Sequence, residues 1–343
     1  MKRSLPIGII AFTVAVAACS DQPTNPNAPR LTPLQGALAT VMQVQDRHTP
    51  QLLRLSGVVG TATGLDPAGR PVIFVLTKSG DLTGIPGVLE NVPVTVRVTG
   101  EFQALTALQA PSPHGRVKLT RLIRPVPNGV SVGNNLECSA GTLGTGLTIG
   151  GQTYALSNNH VFARQNAGKI GEIIVQPGRF DSKPKCADDV PASKLGTLAD
   201  YQALDFSGGD NTIDAAVALP TTALTCATPD GFYGSPGTAV VDAAVGLPIQ
   251  KVGRTSGLTT GSVAFINVTV TVGYGGGRFA KFVNQVVTTS GISRPGDSGS
   301  LIVTNDASAN PVALLFAGTS DGTTVGNPIG DVLTRFSATI CHV

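Results

Sequence analysis

Ser298 lies between two glycines, in the run Gly296-Asp297-Ser298-Gly299-Ser300. Glycine adopts backbone angles that other residues avoid, and Asp and Ser side chains bond their own backbone, so the run predicts a tight turn. Such a turn is common by itself, and it is also a way to present a hydroxyl for nucleophilic attack. Ser298 is therefore a candidate nucleophile.

Two motifs upstream of this turn contain the other groups that a serine nucleophile needs. His160 lies in the run SNNHV, and Asp214 lies in the run TIDAAV. Imidazole titrates near neutrality, so it can remove the serine proton and return it. A buried carboxylate on the other ring nitrogen selects the tautomer that faces the serine. The order His160, Asp214, Ser298 thus indicates a base, its orienting acid and a nucleophile.

Asp214 is the best candidate for the acid because it interrupts an apolar segment, residues 213–219, that predicts a buried strand. A carboxylate there has to be paired. Four other aspartates lie in loops with Pro, Gly or Ser, where a solvated carboxylate is the usual case. These alternatives are Asp188, Asp189, Asp205 and Asp210.

These motifs resemble those of the chymotrypsin-like (trypsin-fold) serine peptidases of bacterial type, over residues 126–343. The resemblance implies a double six-stranded antiparallel β-barrel, with barrel one at about 130–230 and barrel two at about 236–343. It also implies a serine endopeptidase that works through an acyl-enzyme and needs no cofactor. The run ALSNNH is similar to the subgroup that includes the rice narrow-leaf protein.

The same resemblance assigns roles around the nucleophile. It implies an oxyanion hole formed by the backbone N–H groups of Gly296 and Ser298. It further implies a buried Asp297, which needs a cation. Arg254, in the run KVGRTSGLTTG, is expected to pair with Asp297, so that no newly cut N-terminus is required.

Substrate preference is expected to depend on a pocket with Ile292 at its floor and Gly318 and Thr319 in its wall, again by resemblance. An apolar floor favours a small or apolar residue before the scissile bond. Arg294 leaves an acidic preference open, and Asp321 leaves a basic preference open.

The first 19 residues are typical of an export signal, with Lys2, Arg3 and then an apolar run too short to predict a membrane span. The run VAAC resembles a lipobox, which implies that Cys19 is acylated and anchors the chain in a bacterial cell envelope. Ordinary cleavage of the signal, which would give a secreted protein, is the alternative. Residues 20–33 are rich in Pro and Asn and predict a tether.

Residues 34–125 differ in character and predict a small α+β accessory domain before the peptidase domain at 126–343. An amphipathic helix is expected over 34–55, although Pro50 would break or kink it. Strands are expected at 53–60, 72–78 and 92–98. A folding pro-region, a substrate-recruiting module and a spacer are all compatible with this segment, and so is a substrate for self-processing.

The composition is typical of an extracytoplasmic β protein, with 42 Gly, 24 Pro and 13% charged residues. A net charge of +3 argues against a nucleic-acid partner. Four cysteines remain if Cys19 is lipidated, which suggests two disulfides. The favoured pairing joins Cys186 to Cys226 and Cys138 to Cys341. A metal site is disfavoured, because no two of these cysteines are close in sequence.

Two other functions compete with the peptidase interpretation. A binding or scaffold protein can keep a fold without its chemistry. An esterase-type hydrolase could use the same acyl-enzyme steps on a non-peptide substrate. The α/β-hydrolases are disfavoured, because their Gly-x-Ser-x-Gly turn and their order of catalytic residues both differ from those found here.

Overall fold

The structure is a computed structural model, and it describes residues 32–80, 82–105, 118–187 and 191–342. The predicted export signal, Cys19 and all but the end of the predicted tether lie outside the described residues, as do Asp188 and Asp189. The fold is mainly β, as predicted. None of the described helices is long and apolar enough to cross a membrane.

The described part of the N-terminal segment, residues 32–80 and 82–105, contains one helix and five strands. In chain order these are α1 (Pro33–Leu52), β1 (Val58–Leu65), β2 (Pro71–Thr77), β3 (Val88–Leu89), β4 (Val92–Val98) and β5 (Phe102–Ala104). The observed β2 and β4 lie close to the predicted strands, whereas β1 begins later than expected. Pro50 is accommodated in the last turn of α1.

The described residues from 118 onwards form mainly strands, of which β15 is the longest, with two short α-helices. The first half contains β6 (Ser131–Asn134), β7 (Gly141–Thr142), β8 (Thr145–Ile149), β9 (Gln152–Ser157), α2 (Asn159–Phe162), β10 (Ile173–Val175), β11 (Lys194–Tyr201), β12 (Asp210–Asn211) and β13 (Ala216–Pro220). The second half contains β14 (Pro248–Gly253), β15 (Gly257–Gly273), β16 (Phe279–Thr288), β17 (Leu301–Thr304), β18 (Pro311–Gly318), β19 (Thr324–Pro328), α3 (Ile329–Phe336) and β20 (Ala338–Ile340).

Six strands of the second half close into a barrel. The sheet runs β16-β19-β18-β17-β14-β15, and β15 pairs again with β16 to complete the ring. An apolar cluster that includes Val263, Ile302 and Leu315 packs within this half of the chain. We call this ring barrel two.

The other sheet has the order β20-β8-β9-β13-β11-β10-β6-β7. Only Leu143 and Gly144 separate β7 from β8, and both continue the ladder: Leu143 N donates to Val130 O and Gly144 N donates to Leu156 O. Because β7 and β8 thus behave as one bent strand, this sheet also closes into a six-stranded ring, with β20 added at its edge. We call this ring barrel one.

The N-terminal segment extends the sheet of barrel two. Strand β1 pairs with β15, β2 pairs with β1, and β4 pairs with β2. Phe74 and Phe102 of this segment share an apolar cluster with Phe282 and Phe316 of barrel two. Helix α1 covers β1 and β2, and the amide of its buried Gln45 donates to Thr61 Oγ1 at 3.2 Å.

The cysteines pair as Cys138 with Cys186 and Cys226 with Cys341, so the pairing expected from the sequence is wrong. The ladder explains the difference. The C-terminal β20 pairs with β8, and Gly146 of β8 contacts both Cys226 and Cys341. Both disulfides lie in or beside barrel one, and they indicate an oxidising compartment.

Candidate active site

The turn that carries Ser298 depends on two glycines with left-handed backbone angles. Gly296 has φ of +101° and Gly299 has φ of +95°. A Cβ atom at Gly299 would lie 2.1 Å from Thr142 O and 2.3 Å from Ser157 Oγ, so no side chain fits there. The turn of barrel two therefore presses directly on the backbone of barrel one, and Ser298 is buried at the junction.

His160 lies in α2, a single helical turn that follows β9 of barrel one. The two asparagines before it fix that turn, which explains the polar run that precedes the histidine. Asn158 Nδ2 donates to Asp214 O at 2.7 Å, and Asn159 Nδ2 donates to Gln202 O at 2.6 Å. The imidazole of His160 is buried.

Asp214 lies just before β13 and is fully buried. Its Oδ2 atom lies 2.6 Å from His160 Nδ1, and its Oδ1 atom accepts the His160 backbone N–H at 3.2 Å. The backbone N–H of Asp214 donates to Asn327 Oδ1 at 3.0 Å, which connects the acid to barrel two. The structure thus brings His160 and Asp214 together in the geometry of a base and its orienting acid.

Tyr274 completes the surroundings of Asp214, and sequence reasoning missed it. Its hydroxyl donates to Asp214 Oδ2 at 2.7 Å, and its ring meets the His160 ring edge to face at 5.9 Å. Burial, together with the Asp214 carboxylate, raises the pKa of Tyr274 well above its usual value, so the phenol stays a donor. Tyr274 follows β15 before three glycines, and nothing in that run connects it to the other motifs.

The Ser298 and His160 segments both contact Gly141. A Cβ atom there would lie 2.5 Å from a methyl group of Val161, the neighbour of His160, and 3.0 Å from Ser298 O. Ser298 Oγ donates to Phe316 O at 3.1 Å, while the buried His160 Nε2 has no hydrogen-bond partner among the described residues.

The cation beside Asp297 is Lys251, so the expected pairing of Asp297 with Arg254 is wrong. Lys251 Nζ lies 2.9 Å from Asp297 Oδ2, and both side chains are fully buried. Ser256 Oγ donates to the same oxygen at 2.5 Å, and Thr255 N donates to Oδ1 at 2.9 Å. Asp297 also holds its own turn, because Arg294 N donates to Oδ2 at 3.0 Å.

Strand alternation explains which cation reaches Asp297. Successive side chains of a strand point to opposite faces, so Lys251 and Gly253 of β14 share a face that the next residue, Arg254, does not. A Cβ atom at Gly253 would lie 2.4 Å from Asp297 Oδ1, which identifies that face. Arg254 turns instead to Asp181, where its Nε donates to Oδ2 at 2.7 Å. This second buried pair connects barrel two to barrel one.

Burial alone would raise the pKa of Asp297. The Lys251 ammonium and the hydrogen bonds from Ser256, Lys251 and Thr255 outweigh burial and lower the pKa below its ordinary value. Asp297 is therefore a carboxylate, and the charged pair braces the turn that contains Gly296.

The residues expected to form the substrate pocket each contact another part of the chain. A Cβ atom at Gly318 would lie 3.1 Å from Leu105 Cδ1, so Gly318 adjoins a leucine of the N-terminal segment. The buried Ile292 packs against Gly261 of β15. The Thr319 hydroxyl bonds to Asp321. Their roles in substrate preference stay predictions.

Neither of the rival acids that the structure describes contacts the imidazole. Asp205 Oδ1 accepts both the N–H and the hydroxyl of Ser207, at 2.6 Å each. Asp210 is exposed and forms an ion pair with Lys281 at 2.7 Å. In the part of the chain that is described, no three His, Cys, Asp or Glu side chains are grouped as metal ligands.

Comparison with known proteins gives one curated relative. The chain is 32% identical over 107 residues to streptogrisin-A of Streptomyces griseus, which is 30% of this chain and 33% of that protein. The chain is similar to the chymotrypsin-like serine peptidases. The similarity spans about a third of the length of streptogrisin-A. No family model matches the chain.

Solved structures of serine proteases align with about two thirds of the chain. A glutamic-acid-specific serine protease aligns at 22% identity and a TM-score of 0.44, over 63% of this chain and 100% of that one. Protease A of Thermobifida fusca aligns at 20% identity and a TM-score of 0.45, over 64% of this chain and 99% of that one. The chymotrypsin of Cellulomonas bogoriensis aligns at 19% identity and a TM-score of 0.44, over 64% of this chain and 99% of that one.

Proposed function

We propose that this chain is a serine endopeptidase in which His160, Asp214 and Ser298 are the catalytic residues. The observation that carries the proposal is the 2.6 Å contact between His160 Nδ1 and Asp214 Oδ2 in a buried site beside the Ser298 turn. A free histidine nitrogen on the other side of the ring is what a general base needs.

The proposed reaction begins when His160 Nε2 removes the proton from Ser298 Oγ, which attacks the carbonyl carbon of the substrate. Asp214 holds the ring in the tautomer with a proton on Nδ1 and stabilises the imidazolium that forms. The imidazolium then protonates the leaving amine, and an acyl-enzyme remains on Ser298. Water, activated by the same base, releases the acid product and restores the serine.

The oxyanion that develops during attack requires hydrogen-bond donors fixed in advance. We assign this role to the backbone N–H groups of Gly296 and Ser298. The Lys251–Asp297 pair supports the assignment, because it fixes the turn from within the chain. Full-length chain therefore needs no new N-terminus to build this turn.

The proposed substrates are proteins or peptides, with Ile292, Gly318 and Thr319 lining the pocket before the scissile bond. We also propose that the chain acts outside the cytoplasm as a cell-envelope lipoprotein anchored through Cys19, or as a secreted protein if Cys19 is not acylated. The two disulfides support an extracytoplasmic site of action. The lipobox, known from the sequence alone, supports the anchor.

Hydrolysis of casein and of a mixed peptide library by wild-type protein and by Ser298→Ala tests the function. We expect peptide cleavage by wild type and a loss of about 10⁴-fold or more in the variant, with the thermal unfolding midpoint nearly unchanged. Equal hydrolysis by both proteins would contradict the proposal. Cleavage of p-nitrophenyl esters without any peptide cleavage would favour the esterase alternative, and a folded chain inert to both would favour a scaffold.

A further inference from the structure

The last strand of the N-terminal segment pairs with two strands of barrel two. Strand β5 pairs antiparallel with β18, in the register Ala104 with Ala317 and Gln103 with Gly318. Its other edge pairs with β15, where Phe102 lies opposite Val272. The segment 102–104 is thus held on both sides, in the way that an extended peptide is added to a sheet edge.

Leu105, the next residue, forms backbone hydrogen bonds with Gly296 and Phe316, which both lie beside Ser298. The Leu105 carbonyl accepts the Gly296 N–H at 2.6 Å, so it occupies one of the two donors assigned to the oxyanion hole. The Leu105 N–H donates to Phe316 O at 3.3 Å. Because Ser298 Oγ donates to that same oxygen at 3.1 Å, the nucleophile and Leu105 meet at one carbonyl group.

The Leu105 side chain fills an apolar pocket. It is 5% exposed and belongs to the cluster that contains Val263, Val286 and Leu315. Gly318 lines this pocket, since a Cβ atom there would crowd Leu105 Cδ1 at 3.1 Å. The backbone of Leu105 is therefore bound by the assigned oxyanion donor, and its side chain lies in a pocket beside the nucleophile.

We propose that residues 102–105 are an internal substrate and that the enzyme cleaves its own chain on the carboxyl side of Leu105. The inference rests on the proposed function. It also names a preference for leucine-like residues before the scissile bond. The intact chain is then latent, because its own segment fills the cleft until the cut releases it.

The proposed step consumes one water and needs no other reactant. Ser298 Oγ forms a bond to the Leu105 carbonyl carbon, and the C–N bond to the next residue breaks. His160 transfers the serine proton to the leaving nitrogen. Water then hydrolyses the Leu105 ester, which leaves a carboxylate on Leu105, an amine on the following residue and a free Ser298.

The test follows the intact mass of full-length wild-type protein and Ser298→Ala during incubation at several protein concentrations. We expect wild type to give two polypeptides, one ending at Leu105 and one beginning at Thr106, at a rate independent of concentration. Ser298→Ala stays intact. Cleavage after Leu105 that also occurs in Ser298→Ala, or that requires a second molecule, would overturn the inference of cleavage within one chain.

Two leucine variants test the pocket. Leu105→Asp places a charge in an apolar site and is expected to slow self-cleavage by more than about 100-fold, whereas Leu105→Met keeps the volume and stays within about 10-fold of wild type. Leu122→Asp is the matched control, since Leu122 is 48% exposed, and it should cleave at the wild-type rate. Equal rates for Leu105→Asp and wild type would overturn the assignment of Leu105.

The peptide-library assay separates failure of this inference from failure of the proposed function. A protein that hydrolyses peptides through Ser298, but never cuts after Leu105, overturns self-cleavage and leaves the peptidase intact. The library products of wild type should also end mainly in Leu or Met. A library cut after acidic or basic residues would overturn the stated preference.

Discussion

Two buried aspartates belong to the candidate site, Asp214 beside His160 and Asp297 next to Ser298 in the sequence, and they are held in different ways. Asp214 is bound by an imidazole, a phenol and the backbone N–H of His160. Asp297 is bound by the Lys251 ammonium, the Ser256 hydroxyl and backbone N–H groups. Each carboxylate is completely enclosed, yet only Asp297 is paired with an ammonium group.

The difference indicates separate tasks. A carboxylate whose partner can gain a proton stabilises charge that appears during a reaction, so the contact between Asp214 and His160 suits catalysis. A carboxylate paired with a lysine already has its charge compensated, so the contact between Asp297 and Lys251 suits a fixed backbone turn. Breaking the contact between Asp214 and His160 should therefore lower turnover, whereas breaking the pair of Asp297 and Lys251 should lower stability.

Asp214→Asn should have the largest effect, on turnover. The amide keeps the shape of the carboxylate but favours the wrong tautomer of His160, so kcat should fall by about 10⁴-fold. The free energy of unfolding should change far less than kcat implies. Steady-state peptide hydrolysis and urea unfolding measure the two quantities, and a fall in kcat of less than tenfold would remove Asp214 from the catalytic set.

Lys251→Met should act mainly on stability. It leaves Asp297 buried without a cation, which typically costs about 3–5 kcal/mol of unfolding free energy. Urea unfolding at neutral pH checks this, with Lys281→Met as control, because Lys281 is only half-buried and pairs with the exposed Asp210. A loss below about 1 kcal/mol would show that hydrogen bonds alone hold Asp297.

The pH dependence of stability should reverse in the same variant. In wild type the pKa of Asp297 is lowered in the folded state, so its contribution is full above the ordinary carboxyl pKa and is lost as pH falls through the lowered value. Without Lys251, burial raises the folded-state pKa, so the variant should become relatively more stable as pH falls. Urea unfolding from pH 3 to 8 measures both slopes.

Tyr274→Phe should have a smaller effect on both properties. The variant removes one of the hydrogen bonds to Asp214 and keeps the ring against His160. A hydrogen bond to a charged group is worth about 1.5–3 kcal/mol, so we expect kcat to fall about 10- to 100-fold. Unchanged kcat and unchanged unfolding free energy would show that the phenol is dispensable to Asp214.

Asp205→Asn should have the smallest effect and serves as the matched control for Asp214→Asn. Asp205 caps a loop at Ser207 and makes no described contact with His160. We expect unfolding free energy within about 0.5 kcal/mol of wild type and nearly unchanged kcat. A large loss of kcat here would reopen the choice of the orienting acid.

Sequence patterns predicted the features that depend on local order. The helix near 34–55, two of the strands and the β-rich fold follow from periodicity and turn residues. The candidate base, acid and nucleophile were found because each lies in its own short motif. The two six-stranded rings were implied by the resemblance and are present in the sheet pairing.

Features that depend on contacts between distant segments were missed. Tyr274 and Leu105 reach the site only because β15 and β5 end there, and the cysteine pairing depends on β20 joining barrel one. The pairing of Asp297 with Lys251 could have been predicted from the sequence, because alternation along β14 places Lys251, and not Arg254, on the same face as Gly253.

Fluorophosphonate labelling followed by intact-mass analysis and peptide mapping tests the central claim most directly. The probe is applied to wild type and to Leu105→Asp, in which the cleft is less occupied, with Ser298→Ala as control. We expect one adduct, on Ser298, in the first two proteins and none in the control. Folded wild type and Leu105→Asp that both stay unlabelled, or an adduct on another serine, would contradict the assignment of Ser298 as an activated nucleophile.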